Sequence, residues 1–248
     1  MIDDNTLFIG RNFIQFPKLA STNECAQQLV ATTKPSDGTV ILTAQQSAGK
    51  GQNGSFWEST PGENVTMSVI LYPHFLPVRQ HFRLNQAVAL GLRAAVAMFT
   101  DQPVKLKWPN DIYIGNKKVA GILIQNALSG TRIQSCVVGI GLNVNQTVFT
   151  SDAPNPTSLR LETQQLYNLR RVVAAICKQL EVHYLQLKAG QNSVLQNDYL
   201  QHLYRYQQSA VFRGLDERVF NGIITGVTDD GLLKISTTQG ERVFALKE

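Results

Sequence analysis

Short apolar segments separated by turn residues dominate the middle of the chain. The first is Val104 to Trp108 and the last is Ile133 to Val144. Between them, Ile112 to Ile114 and Val119 to Ile124 flank the dipeptide Gly115-Asn116. Runs this short are typical of strands, and a Gly-Asn dipeptide between two of them is a hairpin signal. This part of the chain therefore predicts consecutive β-strands joined by a tight turn.

Helical patterns also occur along the chain. Ser21 is followed three residues later by Glu24, which is the spacing of a capping box, so a short helix is predicted to begin there. Alanine, leucine and valine recur at helical spacing from His81 to Phe99. Helices are also predicted for Leu166 to Leu187 and Ser193 to Tyr206, and further strands for Thr39 to Ala44 and Asn64 to Leu71.

The pattern changes after about Gln208. Short strands are predicted for Val219 to Val227, Gly231 to Ser236 and Arg242 to Leu246, with turn residues between them. A β-barrel of about forty residues buries too little apolar surface to be stable alone, so it should pack on the preceding domain. We therefore expect two domains, residues 1–208 and residues 209–248.

Charge and cysteine content narrow the function classes. The chain has 248 residues and a net charge of +5, but its basic residues are scattered, so a nucleic-acid tail is not expected. The three cysteines are widely spaced and form no C-x-x-C pair, which argues against a disulfide framework or a zinc site. Met1 to Arg11 lack the features of a signal peptide, and no apolar run has the length of a membrane span. A cytoplasmic location without membrane contact is therefore expected.

A glycine-rich loop, Gly49-Lys50-Gly51-Gln52-Asn53-Gly54, is the first candidate for ligand binding. Glycines let backbone N–H groups approach an anion closely, and Lys50 adds a positive charge. However, the loop does not end in the G-K-[ST] of a P-loop, and no clear helix follows it as in a dinucleotide-binding fingerprint. Spacing alone favours an ordinary surface loop over a phosphate loop.

Two lysine-bearing segments are the next candidates. In Lys105 to Asp111, lysines alternate with apolar residues and Asn110 and Asp111 follow the strand, where catalytic groups are common. The alternative is an edge strand with solvated lysines and a turn. In the hairpin, Lys117 and Lys118 should face opposite sides of the sheet, one towards its working side and one towards solvent. Such a pair is usually only solubilising.

Glycines and polar residues at two further places could form the wall of a site. Gly139 and Gly141 lie inside an apolar strand, which indicates a bulge or a ligand lying against the backbone. Asn143 would then be a polar group in an apolar wall. Ser21 and Thr22 are explained by helix capping, but the start of a helix also presents free N–H and hydroxyl groups.

Five motifs occur in a specific order from about Ser21 to Asn145. They are Ser-Thr-Asn before a helix, Gln-Gln-x-Ala-Gly-x-Gly followed by Trp57, Lys-Trp-Pro-Asn-Asp, Lys-x-Ala-Gly-Ile-Leu and Gly-x-Gly-x-Asn. This order resembles the biotin–protein ligase family. The resemblance implies an α+β fold, with a mixed sheet flanked by helices as in class II aminoacyl-tRNA synthetases and a small C-terminal SH3-like β-barrel. It also implies ATP-dependent ligation of biotin to a lysine of a biotin carboxyl carrier protein through biotinyl-5′-AMP.

The resemblance further implies site residues and cofactors. It implies catalytic roles for Lys118, Lys50 and Asp111. It implies a biotin site formed by Ser21, Thr22, Asn23, Gln46, Gly49, Lys50, Gly51, Lys118, Gly121 and Leu123. It implies an ATP site formed by Gly49, Lys50, Gln52, Asn53, Gly54, Trp57, Lys107, Asn110, Lys118 and Asn143. ATP and biotin would be the substrates. Asn110 and Asp111 would position either a Mg²⁺ ion or the acceptor lysine.

The chain departs from the family pattern in two respects. The family's loop commonly carries arginines between its glycines, whereas here Lys50 is the only charged residue, and lysine lacks the planar fork that grips phosphate. Only about twenty residues precede Ser21, too few for the helix-turn-helix domain of some members, so a short form without specific nucleic-acid binding is expected. Monomer and homodimer both remain open.

Two other classes of function are weighed against the pattern: a related transferase, and a non-catalytic binding protein that either senses biotin or binds nucleic acid. A lipoate- or octanoate-handling transferase shares the related fold, but should lack the combination of the glycine-rich loop, Trp57 and the C-terminal barrel. A non-catalytic protein that only senses biotin should have lost Lys118 or Asp111, and both are present. A nucleic-acid module should cluster basic and aromatic residues on one element, and no such cluster occurs.

Overall fold

The computed structural model describes residues 6–151, 153–214 and 217–245, and within them it leaves the side chain of Asn53 undescribed. Leu246, the predicted end of the last strand, lies outside the described residues.

A seven-stranded mixed sheet forms the main body, in the order β1-β2-β3-β7-β6-β5-β4. Only β1 and β2 are parallel, and all other neighbours are antiparallel. The strands are β1 Phe13–Leu19, β2 Val40–Gln46, β3 Val65–Leu71, β4 Val104–Lys107, β5 Asp111–Ile114, β6 Lys117–Ser129 and β7 Arg132–Leu142. The predicted hairpin is confirmed, because β5 and β6 pair across Gly115-Asn116.

Helices cover both faces of this sheet. They are α1 Thr22–Thr32, α2 His81–Ala97, α3 Leu159–Thr163, α4 Leu169–Lys188 and α5 Asn192–His202, with short 3-10 turns at Gln52–Gly54 and Val78–Gln80. α2 and α4 pack on one face, where Met67 and Val69 of β3 join the main core. α1 packs on the other face against β2, β3 and β7, with Ala26 and Ile70 in a smaller core. A cleft opens beside α1, over β6 and β7.

The C-terminal part is a four-stranded antiparallel sheet, in the order β11-β10-β9-β8, consistent with an SH3-like fold. Its strands are β8 Ser209–Arg213, β9 Val219–Val227, β10 Leu233–Thr237 and β11 Gly240–Phe244. It is bonded to the main body, because Trp108 Nε1 donates to Gly231 O at 2.8 Å. Just before β8, Tyr204 N donates to Leu106 O at 2.7 Å, which covers part of the edge strand β4.

Some element predictions differ from the structure for identifiable reasons. β1 was not predicted because Pro17 interrupts its apolar run, but β1 is an edge strand, where a missing N–H is tolerated. The helix predicted to reach Tyr206 ends at His202, because Leu203 is extended and the chain turns to pair with β4. The preceding helix begins at Leu169 instead of Leu166, because the Asn168 side chain caps it by accepting from Arg170 N at 2.9 Å.

Among the described residues, the structure contains no helix that is both long and apolar enough to cross a membrane.

Candidate active site

The cleft beside α1 has a volume of about 670 Å³ and collects residues from most of the predicted motifs. The predicted residues that line it are Ser21, Thr22, Asn23, Gln46, Lys50, Gly51, Gln52, Trp57, Lys107, Asn110, Asp111, Lys118, Gly121, Leu123 and Asn143. Gly49 and Gly54 are not among its lining residues. The side chain of Asn53 lies outside the described part of the structure.

Glycines form the floor of the cleft. Gly121 of β6 and Gly141 of β7 are cross-strand partners, and the Trp57 indole lies directly on them. A Cβ atom at Gly141 would lie 2.3 Å from Trp57 Cε2, and one at Gly121 would lie 3.1 Å from Trp57 Cζ3. The glycines predicted to admit a ligand therefore admit a tryptophan ring, whose Nε1 is buried without a partner in the described residues.

The start of α1 and the end of β2 form one end of the cleft. We call this end of the cleft the ring end and define it by Thr22, Asn23 and Gln46. Thr22 N donates to Gln46 Oε1 at 2.9 Å. Asn23 Nδ2 donates to Leu123 O at 3.2 Å and to Gln125 Oε1 at 2.9 Å. Gly139 is needed here, because a Cβ on it would lie 2.3 Å from Asn23 Oδ1.

Sequence reasoning missed a residue behind the ring end. Ser68 of β3 is fully buried, and its Oγ lies 2.8 Å from Thr22 Oγ1 and 2.6 Å from Asn23 Oδ1. The available signal was a polar pair, Thr66 and Ser68, on one face of an otherwise apolar strand. Thr66 also lines the cleft.

Lys118 and Asp111 form an ion pair further along the cleft. Lys118 Nζ lies 2.7 Å from Asp111 Oδ1, and both side chains are about one-fifth exposed, at 22% and 19%. The same Nζ lies 5.7 Å from the centre of the Trp57 ring. The main chain of Lys118 is held on both sides, because its N–H donates to Asn155 O and its carbonyl accepts from Thr157 N. A partly dehydrated cation is thus held beside a carboxylate and an aromatic ring.

The other two lysines of these motifs have different surroundings. Lys117 lies outside the cleft and pairs with Glu162 at 3.0 Å, so it is exposed but not free. Lys107 lines the cleft and donates to Tyr113 Oη at 3.0 Å. The structure therefore places Lys118 on the side of the sheet that carries the cleft and Lys117 on the solvent side.

Two asparagines link the cleft to its surroundings. Asn110 Nδ2 donates to Ile122 O at 2.6 Å, and this bond holds the turn that precedes β5 against strand β6. Asn143 Nδ2 donates to Thr157 O at 3.0 Å, but its buried Oδ1 has no hydrogen-bond partner among the described residues. Buried polar atoms are normally bonded, so a free acceptor beside an open cleft is a candidate ligand contact.

The glycine-rich loop forms a small hairpin over the cleft. Trp57 N donates to Gly49 O at 3.0 Å, and Gly51 N donates to Ser55 O at 2.7 Å. Lys50 is ion-paired with Glu24 in the first turn of α1. Only half of the predicted capping box is therefore present: Ser21 Oγ accepts from Glu24 N at 3.4 Å, while the Glu24 carboxylate is engaged by Lys50.

A loop that the sequence analysis did not identify forms a second wall of the cleft, and Glu58 holds this loop to the hairpin. The Glu58 carboxylate accepts from Thr150 N at 3.0 Å, Ser151 N at 2.8 Å and Gln146 Nε2 at 3.2 Å. Ser151 lines the cleft, as do neighbouring residues of the same loop, Phe149, Ala153, Pro154 and Pro156. Burial alone would raise the pKa of Glu58, but these hydrogen bonds outweigh it and lower the pKa.

Comparison with known proteins assigns the chain to a family. Residues 16–143 match the model of the biotin/lipoate A/B protein ligase family, which is more than half of the chain. The chain belongs to this family.

Relatives with established names agree with this assignment. A bifunctional ligase/repressor BirA of Bacillus subtilis is 29% identical over 255 residues, covering 95% of this chain and 72% of the relative. A biotin–[acetyl-CoA-carboxylase] ligase of Mycobacterium tuberculosis is 29% identical over 202 residues, covering 79% and 73%. The structure of a biotin protein ligase from Aquifex aeolicus, in complex with biotin and ATP, superposes with a TM-score of 0.79 at 25% identity, covering 96% and 97%.

We expect Glu58 to set the position of the second wall in this family member. In Glu58→Gln, an amide group would face the N–H groups of Thr150 and Ser151, so part of the loop would be released. Hydrogen bonds to a charged group contribute about 1.5 kcal/mol when partly solvated, so the KM for the substrate that contacts this wall should rise roughly 10-fold. Because the lowered pKa keeps Glu58 charged at neutral pH, the contacts should weaken in the wild type only as the pH falls through that lowered value.

Steady-state kinetics with each substrate varied in turn would check this expectation. Glu63→Gln, in the same segment but outside the cleft lining, is the matched control and should leave every KM value unchanged. An equal rise in the KM for every substrate would indicate general loosening of the cleft and would contradict a local role for Glu58.

Proposed function

We propose that the chain is a biotin–protein ligase, which activates biotin with ATP and transfers it to a lysine of a biotin carboxyl carrier protein or domain. The observation that carries the proposal is that one cleft joins a polar ring end at Thr22 and Gln46 to the Lys118–Asp111 ion pair. The ring end can form hydrogen bonds to an uncharged polar ring, and Lys118 can bind the anions that react. Relatives named as biotin–[acetyl-CoA-carboxylase] ligases and the related complex with biotin and ATP support this reading.

The substrates would divide the cleft between them. Ser21, Thr22 and Gln46 would bind the ureido ring of biotin, with Gly121 and Leu123 as the wall along its chain. Trp57 and Asn143 would contact the nucleotide, because Asn143 Oδ1 and Trp57 Nε1 are buried and lack partners in the described residues. The hairpin Gly49–Trp57 would cover the reacting groups, and Lys50 would exchange Glu24 for a ligand anion.

The first step joins two anions, and Lys118 would offset their repulsion. A biotin carboxylate oxygen attacks the α-phosphorus of ATP, and the bond to pyrophosphate breaks. Negative charge grows on the phosphoryl oxygens, and a held cation stabilises that charge without having to reorganise. Lys118 would transfer part of its ion pairing from Asp111 to these oxygens, because its side chain lines the cleft in which they would lie.

The second step needs a neutral amine. The carrier lysine attacks the acyl carbon of biotinyl-5′-AMP, an amide bond forms, and AMP leaves. A carboxylate beside the amine can accept its proton or orient it, and Asp111, which lines the cleft beside Lys118, would take this role. Within residues 6–151, 153–214 and 217–245, Glu58 is the other acidic residue that lines the cleft, and its carboxylate is already bonded to the second wall.

A magnesium ion is compatible with these residues. Mg²⁺ is usually bound by one or two carboxylates together with substrate phosphates, and Asp111 offers a carboxylate beside Asn110. We propose that Asp111 or Asn110 holds Mg²⁺ brought by ATP, and this ion would supply further positive charge beside the phosphates.

We also propose that the chain divides into domains 1–208 and 209–248. A reducing, cytoplasmic location would agree with its three unpaired cysteines.

The test is a two-stage assay with purified protein. With Mg-ATP, pyrophosphate should form only when biotin is added, and biotin should become attached to a carrier domain only when that domain carries its acceptor lysine. A carrier domain with that lysine replaced by arginine is the matched control. Lipoate and octanoate replace biotin in parallel reactions, because the family includes lipoate ligases. Activity with either acid and none with biotin would refute the proposal.

A further inference from the structure

We infer that Ser68 sets the direction of the hydrogen bonds at the ring end and thereby makes Thr22 Oγ1 an acceptor for a ligand N–H group. The inference rests on the proposed function, because a cyclic urea is the ligand that presents such an N–H beside a carbonyl. Ser68 is fully buried and does not line the cleft, so it acts through Thr22 as a positioning residue.

The orientation of Asn23 is determined by a group that can only accept. The backbone carbonyl of Leu123 has no proton, so the Asn23 atom that lies 3.2 Å from it is the nitrogen, Nδ2. The same nitrogen donates to Gln125 Oε1 at 2.9 Å, which uses its second proton. The oxygen of this amide, Oδ1, therefore faces Ser68 and can only accept.

Counting protons then gives one consistent arrangement. Ser68 Oγ makes two short contacts, 2.6 Å to Asn23 Oδ1 and 2.8 Å to Thr22 Oγ1, and each contact needs one proton. Asn23 Oδ1 supplies none, while the two hydroxyls supply one each. The Ser68 proton must therefore lie towards Asn23, and the Thr22 proton towards Ser68. Any other assignment leaves two oxygens facing each other at short distance without a proton between them.

Thr22 consequently has no proton left for the cleft. Its 3.3 Å contact with Gln46 Oε1 carries none, and Gln46 Oε1 is held by the Thr22 N–H at 2.9 Å. That second bond leaves Gln46 Nε2 as the donor. The ring end thus presents an acceptor at Thr22 and a donor at Gln46, which is the complement of an N–H beside a carbonyl.

Ligand discrimination tests this arrangement. The probes are biotin and its two carbamate analogues, in each of which a ring oxygen replaces one ureido N–H. In the wild type, the analogue that places its oxygen against Thr22 should bind about 10- to 100-fold more weakly than biotin, because two acceptors would face each other. Ser68→Ala frees the Thr22 proton to turn towards the ligand, so this ratio should fall to roughly threefold or less.

The measurement is the dissociation constant of each probe by calorimetry, without ATP. Ser68→Cys keeps most of the side-chain volume and has only a weak hydrogen-bond donor, so the ratio of the dissociation constants of the analogue and biotin should be intermediate. If Ser68→Ala does not fold, Ser68→Cys replaces it in the test. Ser135→Ala removes a buried serine of β7 outside the cleft and should leave the ratio at its wild-type value.

Two outcomes would count against different claims. If Ser68→Ala weakens biotin and both analogues by the same factor, the ratio is unchanged, Ser68 is only structural and the inference is overturned. If wild-type protein binds no biotin, while remaining folded, the proposed function itself fails.

Discussion

Replacing Lys118 by alanine should reduce biotin-dependent pyrophosphate release about 100-fold while the protein stays folded. Lys118 is the cation placed beside both Asp111 and the Trp57 ring, so it is the group best placed to stabilise charge developing on the α-phosphate. Loss of one held contact of this kind costs on the order of 3 kcal/mol in the transition state. The measurement is the single-turnover rate of pyrophosphate release with saturating biotin and ATP.

Lys117→Ala is the matched control, since it removes the same side chain one residue earlier and outside the cleft. Its ion pair with Glu162 is 57% exposed on the lysine side, and such pairs contribute roughly 0–1 kcal/mol. We expect a small loss of thermal stability and a nearly unchanged rate. A folded Lys118→Ala protein that releases pyrophosphate at the rate of Lys117→Ala would show that Lys118 is not part of the adenylation step.

Gly141→Ala should have the second largest effect, through Trp57. The new Cβ would lie 2.3 Å from Cε2 and 2.5 Å from Nε1 of the indole, which no packing allows, so the ring must leave the floor of the cleft. Added volume at a packed position typically costs about 1–3 kcal/mol. If Trp57 shapes the nucleotide site, the KM for ATP should rise roughly 10- to 100-fold. The indole's altered surroundings should also shift the tryptophan fluorescence.

Gly226→Ala provides the control for adding a methyl group to a strand glycine. Its Cβ would meet only Lys234 Cδ, at 3.8 Å, in the C-terminal sheet. Both the KM for ATP and the fluorescence should match the wild type. An unchanged KM in Gly141→Ala, together with a shifted fluorescence spectrum, would mean that Trp57 moves but does not form the nucleotide site.

The sequence predicted those parts of the molecule that depend on local patterns. Strand alternation predicted that Lys117 and Lys118 face opposite sides of the sheet, although only the family resemblance indicated which of them faces the site. A Gly-Asn dipeptide was enough to place the hairpin between β5 and β6. The glycines inside β7 predicted a bulge or a ligand lying against the backbone, but the structure places side chains of the chain itself there, Asn23 against Gly139 and Trp57 against Gly141. The contact of Trp57 with Gly141 depends on the path of a loop that no local pattern reveals.

Contacts between distant segments could not be predicted in this way. Glu58 meets its partners 92 and 93 residues later in the chain, and Ser68 meets Thr22 46 residues earlier. Each contact depends on which strand lies beside which, and seven strands allow many orders. The β1 strand shows a different limit, because Pro17 argues against a strand unless its position at the sheet edge is already known.

The bond from Trp108 to Gly231 affects how the molecule unfolds. Trp108 lies next to Pro109-Asn110-Asp111, so the segment that carries Asp111 is anchored to the turn between β9 and β10. Gly231 also packs against Phe82 at the start of α2, where a Cβ would lie 2.6 Å from the ring. Melting of the small sheet would remove the hydrogen-bond acceptor of a half-buried indole in the main body. Because they share these contacts, the two parts should lose structure in one cooperative transition, and a substitution that destabilises the small sheet should also disturb the segment that carries Asp111.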